Sequence, residues 1–578
     1  MSECRQKLTN GSFGQDAHSA GALDSNGQYV LDVKSATAIT YDKCNTECSK
    51  LQSPWHTIDW SQFLTNISSW LVPWLALLSQ LPYGATVGAE NVMALLLALG
   101  SPILAVYSLV LTALNRRHLA RTLSRIEYPK LDRVYTILDK LQQAPLCVDT
   151  RGAISQRLDV FPLDDEVWDR LQTLGLDVHT WTTVAAFQMA WVIFAYVLTV
   201  LVTFLSTNST SSYTTGGDIG TVFLWTLPVV IGWLQVSPIS SSTRLRESVK
   251  ELMHVSDGRD MQHPALFLDY TDHLALRDMQ ATPPIFNYSR FKSWSHCVDL
   301  VLVVLRRAAH DAPHRTSAGS TFHRQGDSES NCGAEQGQDK WRIVEMPETK
   351  ISTGFPRRLI YASMMALLIQ WGTSGAAILT SMYQLPRGLG CHSGPWLMYA
   401  SASTFIWVVM VLSTVIDSVA LQVFLSCSGK MLAIANAIFV IAMSVLNALG
   451  VDQTCYCGSA RPFLGSRAYM VLVPTSQETS AHNAFWAGAV ALSAIVVVLF
   501  VVILNVILRD ADLLAADMGR TRSRPVRRDW NPFMGLAQPS TSVPLTAPES
   551  GIPTDIPLLA FGAPQPSWVD YQTTGIAH

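Results

Sequence analysis

Charge is scarce in this chain. Asp, Glu, Lys and Arg together make up 15% of its 578 residues, against roughly 25% in an ordinary soluble domain. Hydrophobic residues reach 49% and the mean hydropathy is +0.22. That balance argues against a string of soluble domains and for a multi-pass membrane protein. The net charge of -3 and the lack of a basic, aromatic-studded face argue against nucleic acid as a partner. Catalytic signatures are missing too: G-x-x-x-x-G-K-[ST], G-x-G-x-x-G, H-E-x-x-H and G-x-S-x-G do not occur. The reading is therefore not an enzyme, with no catalytic residue, no cofactor and no metal. The 10 cysteines are scattered and do not form the dense framework of a small secreted domain.

What is present is a series of long apolar runs. Val92 to Leu114 is closed by Asn115-Arg116-Arg117-His118, with Arg121 and Arg125 behind. About 20 apolar residues cross the hydrocarbon core as a helix, and Lys/Arg beside a span stay on the cytoplasmic side, so this run orients the others. Before it, residues 1–52 have neither a basic n-region nor an apolar h-region. No cleavable signal is expected, and the Ser/Gly/Thr/Asn-rich composition reads as a disordered tail. Within residues 53–115, Phe63 to Leu81 is a span kinked at Pro73, in preference to a re-entrant or interfacial segment, with Trp55, Trp60, Trp70 and Trp74 suited to an interfacial belt.

Trp60-x-x-Phe63, Trp70-Leu-Val-Pro-Trp-Leu-Ala-Leu, Gln80-Leu-Pro, Leu99-Gly-Ser-Pro102 and Tyr107-Ser-Leu with Asn115 resemble a set of uncharacterised fungal multi-pass membrane proteins. The resemblance covers mainly residues 55–118. It implies the membrane class and carries no activity, substrate or site residue.

Residues 116–180 read as a cytoplasmic helical segment, because Ile126, Leu131, Val134, Tyr135, Leu138 and Leu141 recur at helical spacing. Residues 181–238 hold the second helix pair, Thr182 to Leu205 and Ile219 to Val236. Between them Asn208-Ser-Thr210 is a sequon on the side opposite Arg116 and Arg117, so Asn208 is an expected glycosylation site. Residues 239–358 form a cytoplasmic loop with short helices, including a buried or interfacial one over Phe291 to Leu305, and a disordered insert at Ala309 to Lys340. Residues 359–508 are a four-span block: Leu359 to Met382, Trp396 to about Ile416, Met431 to Leu449 and Ala484 to Leu508. A tight hairpin at Ser426-Cys-Ser-Gly-Lys430 joins the middle two. Residues 509–578, with Arg522, Arg524, Arg527 and Arg528, read as a disordered cytoplasmic tail. The expected fold is an all-α polytopic bundle of about eight spans with both termini cytoplasmic. If Phe63 to Leu81 does not span, about seven remain, residues 1–60 move outside, and Cys44 and Cys48 are free to pair.

Asp417 is the one charge inside the apolar stretch Trp396 to Leu425, and a carboxylate in hydrocarbon costs at least ~2.5 kcal/mol. It is the first functional candidate; the plainer reading ends the span near Ile416 and leaves Asp417 at the inner interface. Gln370, Asn436, Asn447 and Asn505 are further intramembrane polar positions. They either line a path with Asp417 or bond helix to helix as structural glue, the more frequent role. Cys391, Cys455 and Cys457 fall in two non-cytoplasmic loops, so a bridge from Cys391 to Cys455 or Cys457 is expected; Cys455 to Cys457 would strain the ring. The functional expectation is a membrane scaffold or sensor in a plasma or secretory-pathway membrane, with the lipid bilayer and cytoplasmic proteins as partners. A transporter or channel using the intramembrane polar residues is the alternative.

Overall fold

The computed structural model describes residues 21–48, 71–81, 88–126, 131–142, 181–205, 220–236, 354–383, 388–391, 393–416, 418–449, 454–459, 461–472 and 476–520, with scattered positions at 60–68 and 286–309. The long helices are α1 (Val72–Leu78), α2 (Gly88–Gly100), α3 (Pro102–Leu123), α4 (Leu131–Leu141), α5 (Thr183–Leu205), α6 (Thr226–Val236), α7 (Phe355–Met382), α8 (Ser393–Val415), α9 (Val419–Ala448) and α10 (Ser476–Arg520). Four of them, α7 to α10, contain stretches long and apolar enough to cross a membrane; α2 and α3 pass that test only as a pair bent by 100°. Apolar stretches in α5 and α6 are shorter. By length and composition the described residues thus provide four candidate spans, or five with the bent pair, where the sequence suggested about eight.

Three expectations are corrected. Val92 to Leu114 is not one helix: Gly100-Ser101-Pro102 breaks it, and Pro102 opens α3 because it has no N–H to continue α2. Pro73 stands in the first turn of α1; before it Phe63, Leu64, Ile67 and Ser68 are helical and the Leu71 N–H bonds to the Ile67 carbonyl at 3.0 Å. The hairpin at Ser426 to Lys430 is absent, since α9 runs through these residues and the reversal falls between Val415 and Val419. Gly429 serves packing: a Cβ there would crowd the Met410 side chain of α8. Finally, α10 does not stop at Leu508 but continues to Arg520 through Asp-Ala-Asp-Leu-Leu-Ala-Ala, where Leu and Ala favour the helix and the two carboxylates find arginine partners.

The helices alternate between two faces. One carries the start of α7 and the arginine-rich end of α3; the other carries the chain between α7 and α8 and between α9 and α10. On this second face Ala22–Leu23 (β1), Ala38–Thr40 (β2) and Tyr469–Val471 (β3) form an antiparallel sheet in the order β1-β2-β3, with Ile39 opposite both Ala22 and Met470. Residues 21–48 are therefore folded, contrary to the expected disordered tail. The sheet also ties them to the loop before α10, so a cytoplasmic N-terminus cannot be combined with a non-cytoplasmic loop at 454–472. A sheet this small cannot stand alone. Two disulfides staple it: Cys44 to Cys455, Cα atoms 5.8 Å apart, and Cys391 to Cys457, 5.1 Å apart. Cys44 thus pairs across the cap and not with Cys48, which is itself disulfide-bonded. Ala22, Ile39, Cys44, Cys48, Cys455 and Met470 form the cap's own small core.

Large apolar side chains stand outward along the long helices, among them Phe187 and Phe194 on α5, Phe405 on α8, Phe424 and Ile438 on α9 and Ile495 and Val498 on α10. An apolar surface of this kind is what a lipid-facing bundle presents.

Candidate functional site

The break between α2 and α3 sits against α8 and α9. Ending α2 at Gly100 leaves its last carbonyls without intrahelical N–H partners, and in a dry interior each costs free energy until bonded. Two side chains supply the bonds. The Tyr399 hydroxyl of α8 donates to the Leu99 carbonyl at 2.8 Å, and the Asn436 amide of α9 donates to Gly100 at 2.8 Å and to Tyr399 at 3.3 Å. Gly100 is required here, since a Cβ would collide with the Ala433 backbone carbonyl of α9. Ser101 opens the turn, taking Leu104 and Ala105 N–H groups on its carbonyl. Its own hydroxyl, and those of Ser108 and Ser403, are fully buried and unpartnered.

The polar positions singled out in the sequence do not join into one path. Asn436 closes the helix break. Gln370 is wholly buried on α7 and donates to Ser374 on its own helix, leaving Oε1 without a partner. Asn447, near the other end of α9, has an unpartnered Oδ1, and Asn505 faces outward from α10. Asp417 lies outside the described residues, between Ile416 and Ser418 in the α8 to α9 reversal; Asn208 is outside them too. Among the described residues no group of three or more His, Cys, Asp or Glu could hold a metal ion.

At the arginine face α3 is tied to α10 and α4. Arg116 reaches Asp512 at 2.7 Å and Asp139 at 4.0 Å, and its Nε donates to the Tyr135 hydroxyl at 3.1 Å. Arg117 and Arg121 share Asp510, Arg121 at 2.9 Å. Burial, with Asp139 beside it, pushes the Tyr135 hydroxyl well above the usual tyrosine range, and burial pulls the Lys140 amine down while Asp139 opposes. The stripe Leu131, Val134, Tyr135 and Leu138 of α4 is buried, and the Trp294 indole N–H donates to the Leu138 carbonyl at 2.8 Å, seating the buried residues of 291–305 beneath it.

No protein-family model, no curated protein and no solved structure matches the chain. The site is thus read from its own geometry, and the likeness carried by residues 55–118 stays a proposal. Sequence reasoning missed Tyr399, Arg358 and Cys44. Tyr399 lies within an apolar run and Arg358 at the start of one, and neither carries a local signal of its partner. Cys44 sat in a stretch whose composition spoke for disorder.

Proposed function

We propose that this chain is a multi-pass integral membrane protein acting as a scaffold or sensor, with the disulfide cap outside the cell or in a secretory lumen and the arginine face in the cytoplasm. Positive residues concentrate at one end of the bundle and disulfides, which persist in oxidising compartments, at the other. This orientation places residues 21–48 outside, the arrangement linked to loss of Phe63 to Leu81 as a span, and it leaves Asn208 on the glycan-accepting side.

One observation carries the scaffold or sensor reading: α10 is a single helix of 45 residues, about 68 Å at 1.5 Å per residue. It begins shortly after β3 of the cap and ends past Asp510 and Asp512, where α3 and α4 are held. A stiff rod with its ends in two separate layers can transmit a cap displacement to the cytoplasmic side. The intramembrane polar groups favour the same reading, because the freed carbonyls at Leu99 and Gly100 are bonded by protein side chains and are not left to coordinate an ion, as broken helices of transporters do.

The test is hydrogen exchange on the full chain in lipid nanodiscs, comparing wild type with Cys44→Ser/Cys455→Ser. Altered protection at residues 510–520, far from the substitutions, is expected. A change confined to the cap would contradict the coupling.

A further inference from the structure

The α7 N-terminus holds a buried arginine with three of its five N–H donors unused. Arg358 is 7% exposed, and its Nη1 donates to the Asn115 side chain of α3 at 2.8 Å. The guanidinium lies over the Phe291 ring, 5.4 Å from its centroid, and Phe291 in turn stacks on Phe355 at 4.6 Å. Anchored at Nη1 and packed on one face, the group cannot swing to water. Yet Nε and Nη2 have no hydrogen-bond partner. These two form the side edge of the guanidinium, the fork that takes two oxygens of one phosphate or carboxylate. Buried donors without a partner are costly, and each calls for a water, an ion or a ligand to complete it.

The surroundings favour an anion. His118 of α3 borders the start of α7, since a Cβ on Gly354 would lie 3.9 Å from its ring; burial, with Arg358 and Arg125 beside it, holds its imidazole below the usual range, neutral and able to donate one N–H. That first turn holds no acidic residue and receives no side-chain cap, which leaves its positive dipole end uncompensated. The guanidiniums of Arg358 and Arg125 are the cations here, and Asp299 is the carboxylate that acts on Arg358. Two guanidiniums against that one carboxylate, among the described residues, disfavour a cation and favour an anion.

We propose that Arg358, with His118 and the α7 N-terminus, forms a phosphate-binding site at the inner face of the bundle. It takes a phosphate group in side-on contact with Nε and Nη2, either from an anionic lipid headgroup in the cytoplasmic leaflet or from a soluble phosphate. Its place at the inner face rests on the orientation proposed above, and not on the scaffold or sensor role.

The experiment uses the purified full chain. Native mass spectrometry counts retained phosphatidylserine and phosphatidylinositol 4-phosphate, with phosphatidylcholine as the neutral control, while thermal unfolding in inorganic phosphate probes the soluble source. Arg358→Gln removes the charge and is expected to weaken binding about tenfold, the scale of one charge-assisted contact. Arg358→Lys keeps the charge but loses the fork, and is expected to weaken it several-fold. Binding of anionic lipid lost in these variants supports the headgroup as ligand. Stabilisation by inorganic phosphate lost in the same variants supports the soluble source. Should Arg358→Gln fail to purify as a monodisperse species, Arg358→Lys decides. Anionic binding equal in Arg358→Lys and wild type, or no binding by either phosphate source, overturns the proposal.

Discussion

The side-chain amide of Asn436 donates to the Gly100 carbonyl at 2.8 Å, so one residue of α9 closes the backbone that Pro102 opens at the start of α3. Removing either donor at this junction leaves a buried carbonyl without a partner. Asn436→Leu and Tyr399→Phe are each expected to destabilise the bundle by about 1–3 kcal/mol. Because both bonds converge on one turn, the double variant should depart from additivity. Thermal unfolding of purified protein measures this; an unchanged midpoint in both single variants would show the junction to be energetically idle.

Gly100 and Gly429 make a contrasting pair. A methyl at Gly100 meets backbone, the Ala433 carbonyl, whereas at Gly429 it meets the flexible end of Met410. Gly100→Ala should abolish monodisperse protein, because α9 must move. Gly429→Ala should be tolerated, its gain in helix propensity of about 1 kcal/mol offsetting the Met410 shift. Size-exclusion profiles of fluorescent fusions distinguish the two, and equal tolerance would contradict the close approach of α2 and α9.

The cap predicts its own peptide map. Digestion without reduction should recover Cys44 joined to Cys455 and Cys391 joined to Cys457. Cys44→Ser is expected to cost about 2–5 kcal/mol, the usual loss for a native bridge in a small domain. Alkylation of Cys44 in unreduced protein would place the N-terminal segment elsewhere.

The ion pairs at the arginine face should matter less. Asp510 is partly exposed and shared by Arg117 and Arg121, and exposed pairs contribute about 0.2–1 kcal/mol. Asp510→Asn should therefore lower stability slightly, and less at high salt than at low salt. A loss of several kcal/mol, independent of salt, would mean that Asp510 is buried in the membrane-embedded protein.

Long apolar runs made α7, α8 and α10 visible in the sequence, because the few polar residues within them, such as Gln370, Ser403 and Asn505, are uncharged and isolated. The junctions were harder to see. Gly100-Ser101-Pro102 carried a break signal, yet flanking apolar residues made one span the simpler reading. Ser426 to Lys430 looked like a turn because Ser, Gly and Lys cluster there, but in lipid a helix tolerates small polar residues whose backbone stays bonded. The reversal falls between Val415 and Val419 instead, in keeping with the plainer reading that ended the span near Ile416. The partners of Asn436 and the reach of Cys44 across a sequence separation of 411 residues are products of tertiary packing and leave no local trace.

A closed polar core is the central claim, and cysteine accessibility in intact cells addresses it most directly. Ser403 and Ser374 are fully buried, and serine to cysteine changes little in volume. Ser403→Cys and Ser374→Cys should stay unmodified by membrane-impermeant thiol reagents applied to either side, with an external cap position such as Tyr456→Cys labelled as control. Labelling of Ser403→Cys from outside in the folded protein would reveal a water path through the bundle, contradicting the scaffold or sensor reading in favour of a transporter.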